Sequence, residues 1–320
     1  MFEKKDKKVL LLTTGGTIAG WADDASQPLK YAAARLNGAQ LLATLGVSGL
    51  ALELEEVAQV DSKDMDEQVW RRLLERVVHA LSDPQIEGIV ITHGSDTAEE
   101  TAFLLQAVLP PTKPIVLTCA MRPANAMDSD GASNVRDAIR CARQSDAAGV
   151  WLVCAGEVHA AHEVFKAHST RLNAFSSGDL GPAGRVNAQG VSWLRPVNPP
   201  AQITDVKTVL NTTTWPRVEL VVNHAQADGR WVRALLAWDK PAGCVVAGTG
   251  NGTISAALQE ALSDAQRQGV RVMRTSRCAQ GGVQEDGEAM FENLGSLSFP
   301  QARIALMLRL LQEKAQEAKA

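Results

Sequence analysis

The sequence predicts an α/β protein of two domains, a larger N-terminal domain with a mainly parallel sheet flanked by helices and a smaller C-terminal α/β domain. Short apolar runs of strand length alternate with longer amphipathic segments along most of the chain. The 320 residues exceed the roughly 100–200 residues of a single domain. A proline-rich stretch, RPVNPP at 195–200, separates two alternating blocks. We therefore expect an N-terminal catalytic domain at 1–194, a linker at 195–215 and a C-terminal domain at 216–320.

The elements of the first block follow from hydrophobic periodicity. The apolar run from Lys8 to Leu12 predicts a strand that leads into a glycine-containing loop. The segment from Asp66 to Leu81 predicts a helix, because its apolar residues recur three or four positions apart and form one face. The other predicted elements are strands at Leu52–Ala58, Gly88–Thr92, Ile115–Thr118 and Val150–Cys154 and helices at about Asp96–Leu109 and Asn134–Gln144.

The second block repeats the alternation on a smaller scale. Its segments are Val218–Val222, Ala227–Ala237, Cys244–Ala247, Thr253–Gln268 and Val270–Arg274, followed by a helix from Pro300 to about Gln312. The charged, alanine-rich tail from Glu313 to Ala320 is expected to be a fraying helix end.

Composition excludes several classes of protein. A net charge of −4 without a basic cluster argues against a nucleic-acid-binding protein. No apolar run reaches the ~18 residues that a membrane span needs. The first residues, MFEKKDKKVL, have neither the long apolar region nor the cleavage site of a secretory signal. We expect a cytoplasmic protein, although an exported enzyme whose signal has been removed would also fit.

The five cysteines are odd in number and include no CxxC pair. Most have apolar neighbours, as Cys154 does in the run WLVC. We therefore expect reduced thiols in the core.

Polar clusters follow three of the predicted strands at their carboxyl ends. They are TTGGT at 13–17, VDSKD at 60–64 and HGSDT at 93–97. Ligands of open parallel sheets bind at this edge, so we expect the three clusters to form one site.

Two of these clusters also have a purely structural interpretation. The Gly15-Gly16 pair permits positive φ and could present Thr17 on a mobile loop, but an ordinary flexible turn would look the same. Asp96 is a predicted helix N-cap, worth ~1 kcal/mol. That role leaves the flanking hydroxyls of Ser95 and Thr97 unexplained. Neither GxGxxG nor GxxxxGK[ST] occurs, so a phosphate-binding loop has little support.

These stretches together resemble the bacterial-type L-asparaginases. The run LTTGGTIAG at 12–20 is similar to the first signature of that family, and GIVITHGSDTAEETA at 88–102 is similar to the second. Further similar stretches follow in family order over nearly the whole chain: DM at 64–65 with VW at 69–70, AMRP at 120–123, GTGNG at 248–252 and TSR at 275–277. The resemblance implies hydrolysis of asparagine to aspartate and ammonia, some activity on glutamine, no metal and no organic cofactor.

The resemblance also implies roles for individual residues. Thr17 corresponds to the nucleophile and Tyr31, the only tyrosine, to a tyrosine of the flexible N-terminal loop. Ser95, Asp96 and Lys166 correspond to a rigid group below the substrate. The implied substrate-binding residues are Ser62 at the α-carboxylate, Asp96 at the α-ammonium, and also Gly16, Lys63, Ala120, Asn251 and Glu285. The last two, with Asp286 as an alternative to Glu285, would reach the site of a neighbouring subunit in a homotetramer.

An alcohol that attacks an amide needs a base beside it. Lys166 could act as that base only if its neutral form is accessible, and Tyr31 is the alternative. The sequence leaves this choice open.

Three positions depart from the family pattern. Ser95 and Ala98 stand where the family usually has threonine and a larger aliphatic residue. Lys63 stands where better-known members carry glutamine or glutamate. A cation there would repel the substrate ammonium, and we expect it to narrow the preference toward asparagine unless the lysine simply points to solvent.

Four other functions can be weighed from the sequence. His159, His162, Glu163 and His168 lie within ten residues, but HAAHE is neither HExxH nor HxxEH, so we expect no metal site. A non-catalytic amino-acid sensor or a glutamine-preferring amidohydrolase could keep the same pocket. A related family that deamidates glutamine on tRNA has an additional N-terminal domain, which we do not expect here.

Overall fold

The computed structural model describes residues 7–27, 29–46, 51–144, 146–284 and 290–318. The chain divides into two compact units, 1–200 and 201–320, and each unit has its own sheet flanked by helices. This architecture confirms the predicted fold class.

A mainly parallel sheet forms the centre of the first unit. The strands of this unit are β1 (Lys8–Gly15), β2 (Leu52–Val60), β3 (Ile86–Thr92), β4 (Pro114–Thr118), β5 (Gly149–Cys154), β6 (Glu157–Ala160), β7 (Phe165–Lys166), β8 (Phe175–Ser176), β9 (Gly184–Asn187) and β10 (Gly190–Trp193). Eight of them form one sheet in the order β10-β9-β6-β5-β4-β3-β1-β2, and β7 pairs with β8. Strands β1 to β5 are parallel, whereas β6, β9 and β10 add antiparallel pairs.

The order of the parallel strands creates a crevice. The chain passes from β1 outward to β2 and then returns to the other side of β1 as β3. Connections that leave neighbouring strands in opposite directions open a gap at their carboxyl ends, where ligands bind in sheets of this kind. The gap here lies between the residues that follow β1 and those that follow β3.

Helices cover both faces of this sheet. They are α1 (Gly38–Thr44), α2 (Glu67–Ser82), α3 (Ala98–Val108) and α4 (Gly131–Ala142). Helix α4 packs on β3, β4 and β5, and α3 packs on β4 and β5. The core includes a cluster around Val116 and Val135 and another around Ala98 and Leu152. Because both faces are covered, β4 and β5 are buried along their whole length and consist of continuous apolar runs.

The second unit is a smaller α/β domain. Its elements are α5 (Val206–Asn211), β11 (Val218–Val222), α6 (Arg230–Trp238), β12 (Gly243–Gly248), α7 (Ala256–Arg267), β13 (Arg271–Ser276), β14 (Glu292–Asn293) and α8 (Phe299–Glu317). The four strands are parallel in the order β11-β12-β13-β14. Helix α8 packs on β11, β12 and β13.

Several elements differ from the sequence-based expectation. The segment 195–215, expected as a linker, contains α5. Helix α8 continues through Glu317, so most of the tail that was expected to fray is helical. The strands β6, β9 and β10 and the helix α1 had no counterpart in the predicted elements.

The structure also bears on the expectations for the cysteines and for membrane spans. All five cysteines are free thiols; Cys119, Cys141, Cys154 and Cys244 are buried and Cys278 is exposed. Among the described residues, none of the helices combines the length and the apolarity needed to cross a membrane.

Candidate active site

Three polar loops meet at the carboxyl ends of β1, β2 and β3. Gly16 has a φ of 79°, and a Cβ atom built on it would lie 2.3 Å from Cα of Gly94. A Cβ atom on Gly94 would lie 2.4 Å from Oγ of Ser62. Only residues without a side chain allow these backbones to approach so closely. The three clusters that the sequence places after strands are therefore brought together.

Thr17 begins a short 3₁₀ turn, Thr17–Ala19, directly after the Gly15-Gly16 pair. Its side chain is buried, and Oγ1 lies 2.7 Å from the hydroxyl oxygen of Tyr31. Two backbone hydrogen bonds of 3.0 Å between Trp21 and Ala32 close the intervening segment into a loop. The structure thus places the two hydroxyls that the resemblance assigns to catalysis side by side.

Lys166 connects the second hydroxyl with a carboxylate. Its ammonium donates to Oγ of Ser95 at 2.9 Å and to Oδ1 of Asp96 at 2.5 Å. Its backbone N–H donates to the carboxylate of Glu99 in the first turn of α3. The lysine side chain is 16% exposed, whereas that of Asp96 is 58% exposed. Asp96 can therefore face a ligand while it binds the lysine.

The expected N-cap role of Asp96 is wrong. Helix α3 begins at Ala98, and Thr97 occupies the N-cap position without a side-chain capping bond. The Thr97 hydroxyl donates instead to the carbonyl of Ser62 at 2.8 Å, which links the second and third loops. Asp96 lies in the turn before the cap, where Lys166 attracts its carboxylate. The predicted start of this helix was two residues too early.

Ala120 lies at the carboxyl end of β4 and is fully buried. The two residues after it, Met121 and Arg122, donate their backbone N–H groups to the carboxylate of Asp130 at 3.0–3.1 Å. Asn134 also donates to this carboxylate, at 3.0 Å. Burial raises the pKa of Asp130, and these hydrogen bonds oppose the rise. The loop that carries Ala120 is thus fixed by a buried acid.

Lys63 lies beside the site with its ammonium turned toward its own loop. It pairs with Asp64, and Asp61 lies 3.9 Å away. The hydrogen bond that its ammonium donates to Asp64 raises the pKa of Lys63. With 62% of its side chain exposed, Lys63 has the surroundings of a solvent-facing lysine rather than of a residue aimed at a substrate.

Asn251 belongs to the second unit, in the loop after β12. Its side chain accepts from the backbone N–H of Gln284 at 2.7 Å and donates to the carbonyl of the same residue at 3.2 Å. These bonds fix Asn251 against the segment that leads to Glu285. Glu285 and Asp286 themselves lie outside the described residues.

The histidine cluster has structural partners. His159 contacts Oγ of Ser177 at 3.0 Å, and burial lowers its pKa to about 4. His162 lies 3.5 Å from Glu163, and Nδ1 of His168 accepts two backbone N–H groups. Within the described ranges, no group of three or more His, Cys, Asp or Glu side chains could hold a metal ion.

Two residues of the candidate site, Glu99 and Asp130, were missed in the sequence, and Thr97 was noted there without a role. Glu99 holds the backbone of Lys166, Thr97 links two loops, and Asp130 holds the loop after Ala120. Each stands near the start of a helix, where acidic and hydroxyl residues are common for local reasons. A deeply buried acid would have been the distinguishing signal, and burial of a single acid cannot be read from local sequence.

Two family models match this chain. Residues 8–198 match the family model described as asparaginase, N-terminal, and residues 217–320 match that of the glutaminase/asparaginase C-terminal domain. The chain is 30% identical to L-asparaginase 2 of Bacillus subtilis (strain 168), over 96% of this chain and 84% of that protein. It is 33% identical to the glutaminase-asparaginase of Pseudomonas fluorescens biotype A, over 97% of this chain and 88% of that protein.

A solved structure is similar over the same extent. The structure described as a probable cytoplasmic L-asparaginase from Campylobacter jejuni superimposes with a TM-score of 0.86 at 30% identity, over 97% of this chain and 98% of that one. Both family models and the full-length relatives lead to the same conclusion: this chain belongs to the asparaginase/glutaminase family.

Proposed function

We propose that this protein hydrolyses the side-chain amide of L-asparagine to L-aspartate and ammonia, with minor activity on L-glutamine, through a covalent ester on Thr17. The observation that carries the proposal is the pair of hydroxyls at Thr17 and Tyr31, 2.7 Å apart, on a loop that packs through Gly16 against the Ser95 loop. The relatives described as asparaginases and glutaminase-asparaginases support the choice of substrate.

In the first step, Oγ1 of Thr17 attacks the carbon of the substrate carboxamide. A bond forms between that oxygen and carbon, and the threonine proton passes to the Tyr31 oxygen, the nearest acceptor, as the phenol releases its own proton toward the substrate nitrogen. The carbonyl becomes an oxyanion, which preset hydrogen-bond donors stabilise. When the C–N bond breaks, the nitrogen takes up the proton and leaves as ammonia. An ester between Thr17 and the aspartyl side chain remains.

In the second step, a water molecule attacks the ester carbon. Its proton returns to Oγ1 of Thr17 as the C–O bond breaks, and aspartate is released. No electron donor or acceptor is needed, because the sum of both steps is the addition of water across the amide bond.

Lys166 is a hydrogen-bond donor in this scheme rather than the base. Its Nζ donates to the Asp96 carboxylate at 2.5 Å and to Ser95 at 2.9 Å, so it already has two acceptors beside it. The second oxygen of Asp96 remains for the substrate ammonium. The buried hydroxyl of Ser62, in the loop after β2, is suited to the substrate carboxylate.

The proposed assembly is a homotetramer of dimers in which Asn251 and Glu285 reach the site of a neighbouring subunit. A cytoplasmic location is part of the same proposal, supported by the similarity to the Campylobacter jejuni protein, which is described as cytoplasmic. The Haemophilus influenzae relative, 32% identical, is described as periplasmic. Sedimentation of the purified protein and fractionation of its native cells test the two statements.

The central test is ammonia release from L-asparagine and L-glutamine by the purified protein. We expect turnover with asparagine, none in Thr17→Val, and partial retention in Thr17→Ser, which keeps the hydroxyl. Rapid acid quenching followed by mass spectrometry should find the aspartyl adduct on the peptide that contains Thr17. Absence of turnover on both amides, or full activity in Thr17→Val, contradicts the proposal.

A further inference from the structure

We propose that Trp70, Thr101 and His93 form a directed hydrogen-bond chain that positions the peptide bond between Gly94 and Ser95. The inference rests on the proposed amidase function for its kinetic consequence. The three residues are positioning residues, because they act on the site through Gly94 and not by touching substrate.

The hydrogen-bond chain crosses the core from helix to strand. The indole N–H of Trp70, on α2, donates to Oγ1 of Thr101 on α3 at 2.9 Å. Oγ1 of Thr101 lies 3.0 Å from Nε2 of His93, at the end of β3, and Nδ1 of His93 lies 2.8 Å from the carbonyl oxygen of Gly94. Trp70 is 6% exposed, and Thr101 and His93 are fully buried. Water therefore does not compete for these bonds.

The two ends of the hydrogen-bond chain determine which atom donates and which accepts in each bond. An indole nitrogen can only donate and a carbonyl oxygen can only accept. Nδ1 of His93 must therefore carry a proton for Gly94. Burial lowers the pKa of His93 to about 4, so the ring is neutral at pH 7 and Nε2 is unprotonated. Nε2 accepts from the Thr101 hydroxyl, whose oxygen accepts from Trp70. Every polar atom in the chain has one role, and only one histidine tautomer satisfies all of them.

This arrangement determines the orientation of a peptide in the site. The ring of His93 holds the carbonyl of Gly94 on the core side, and the planar trans peptide then directs the N–H of Ser95 to the opposite side. The backbone N–H of His93 is itself fixed by the carbonyl of Thr118 at 2.8 Å. Gly94 packs directly against Gly16 and Ser62, so a rotation of this peptide would displace both neighbouring loops.

Removal of the Thr101 hydroxyl, at the centre of the hydrogen-bond chain, should allow the peptide between Gly94 and Ser95 to rotate. In Thr101→Val, which has nearly the same shape, the Trp70 N–H and Nε2 of His93 both lose the hydroxyl that they share. The loss of these two buried hydrogen bonds costs free energy, and a change of tautomer or a turn of the ring relieves part of it at the expense of the bond to Gly94. Thr101→Ser keeps the hydroxyl and is the matched control.

The first measurement is the tautomer of His93, by solid-state NMR of the full-length protein labelled with ¹⁵N-histidine. The chain has six histidines, and loss of one signal pair in His93→Gln assigns the resonance. We expect a neutral ring protonated at Nδ1 at pH 7 in the wild type and in Thr101→Ser, and a changed signal in Thr101→Val. A wild-type ring that is protonated at Nε2 alone, or at both nitrogens, overturns the proposal.

The second measurement is steady-state kinetics on asparagine for the same variants. Loss of positioning should lower kcat between about tenfold and a hundredfold in Thr101→Val, with a smaller change in KM and near wild-type values in Thr101→Ser. An unchanged kcat in folded Thr101→Val overturns the proposal, even if its Tm falls, because the residue is then only structural. If Thr101→Val does not fold, Trp70→Phe, which removes only the terminal donor, is judged by the same two measurements.

The NMR result does not depend on turnover. Absence of ammonia release by the wild type would contradict the proposed function while the tautomer still tests the hydrogen-bond chain.

Discussion

The hydroxyl oxygens of Thr17 and Tyr31 lie 2.7 Å apart although the residues are fourteen positions apart in the chain. The backbone pairing of Trp21 with Ala32 closes the loop between them. This contact places a proton acceptor on the proposed nucleophile before any substrate binds, as general-base catalysis by a positioned side chain requires.

Replacement of Tyr31 by phenylalanine should therefore impair chemistry more than binding. The variant keeps the ring and loses only the oxygen, so we expect kcat to fall by about 10²-fold or more while KM stays within a few-fold. Steady-state ammonia release measures both constants. Leu29→Ala, an exposed position of the same loop, is the control and should retain activity. A Tyr31→Phe enzyme with normal kcat would exclude Tyr31 as the general base and leave Lys166 as the candidate.

The hydroxyl of Ser95 accepts a hydrogen bond of 2.9 Å from the ammonium of Lys166. Ser95→Ala removes that acceptor, and we expect it to abolish amidase activity. Ser95→Thr keeps the hydroxyl and adds the methyl group usual in the family, so it should retain most of the activity. Kinetics on asparagine at equal folded concentration separate the two variants. Full activity in the alanine variant would remove Ser95 from the mechanism.

The parallel strands of the first unit could be predicted because strands that are buried in this way have apolar sequences. Strands covered on both faces are continuous apolar runs, so β3, β4 and β5 were found within two residues of their ends. The short antiparallel strands β6, β9 and β10 were missed. Four residues of mixed polarity, as in GRVN at 184–187, give no periodic signal, and their pairing depends on contacts distant in sequence.

Parts of the candidate site could be predicted where its loops carry unusual residues. The two glycines at 15–16 and the hydroxyls at 95 and 97 exceed what a turn and a helix start need. Lys166 was found only by resemblance, because its two-residue strand β7 has no pattern of its own. Glu99 and Asp130 were missed because the burial that makes them important comes from packing of remote segments.

The ion pairs of Lys63 predict that this residue has little influence on the choice between amides. Its ammonium is held by Asp64 and Asp61 on an exposed loop, which favours the solvent-facing interpretation over the preference for asparagine expected from sequence. We expect Lys63→Gln to leave the ratio of glutamine to asparagine kcat/KM within about twofold, since exposed ion pairs contribute little energy. A ratio that rises several-fold would restore Lys63 as a specificity residue.

Protonation of the buried His159 should destabilise the folded chain in mild acid. Burial, reinforced by the charge of Arg195, lowers the pKa of His159 from 6.5 to about 4. The unfolded chain then binds a proton that the folded chain does not, so the stabilising contribution is complete above pH 6.5 and is lost as pH falls toward 4. The linked change is on the order of 3 kcal/mol for this one group.

His159→Gln isolates that contribution, because glutamine keeps a polar group near Ser177 and does not titrate. The difference in free energy of unfolding between wild type and variant, from urea titrations, should shrink as pH falls from 7 to 4.5, since only the wild type loses stability through this proton. His79→Gln, at an exposed position of α2, is the control, because that ring is in contact with water in both the folded and the unfolded chain. A difference for His159→Gln that stays constant over the same range would show that the ring has the same pKa in the folded and the unfolded chain, with Glu157, 3.7 Å away, as the counter-ion of its charged form.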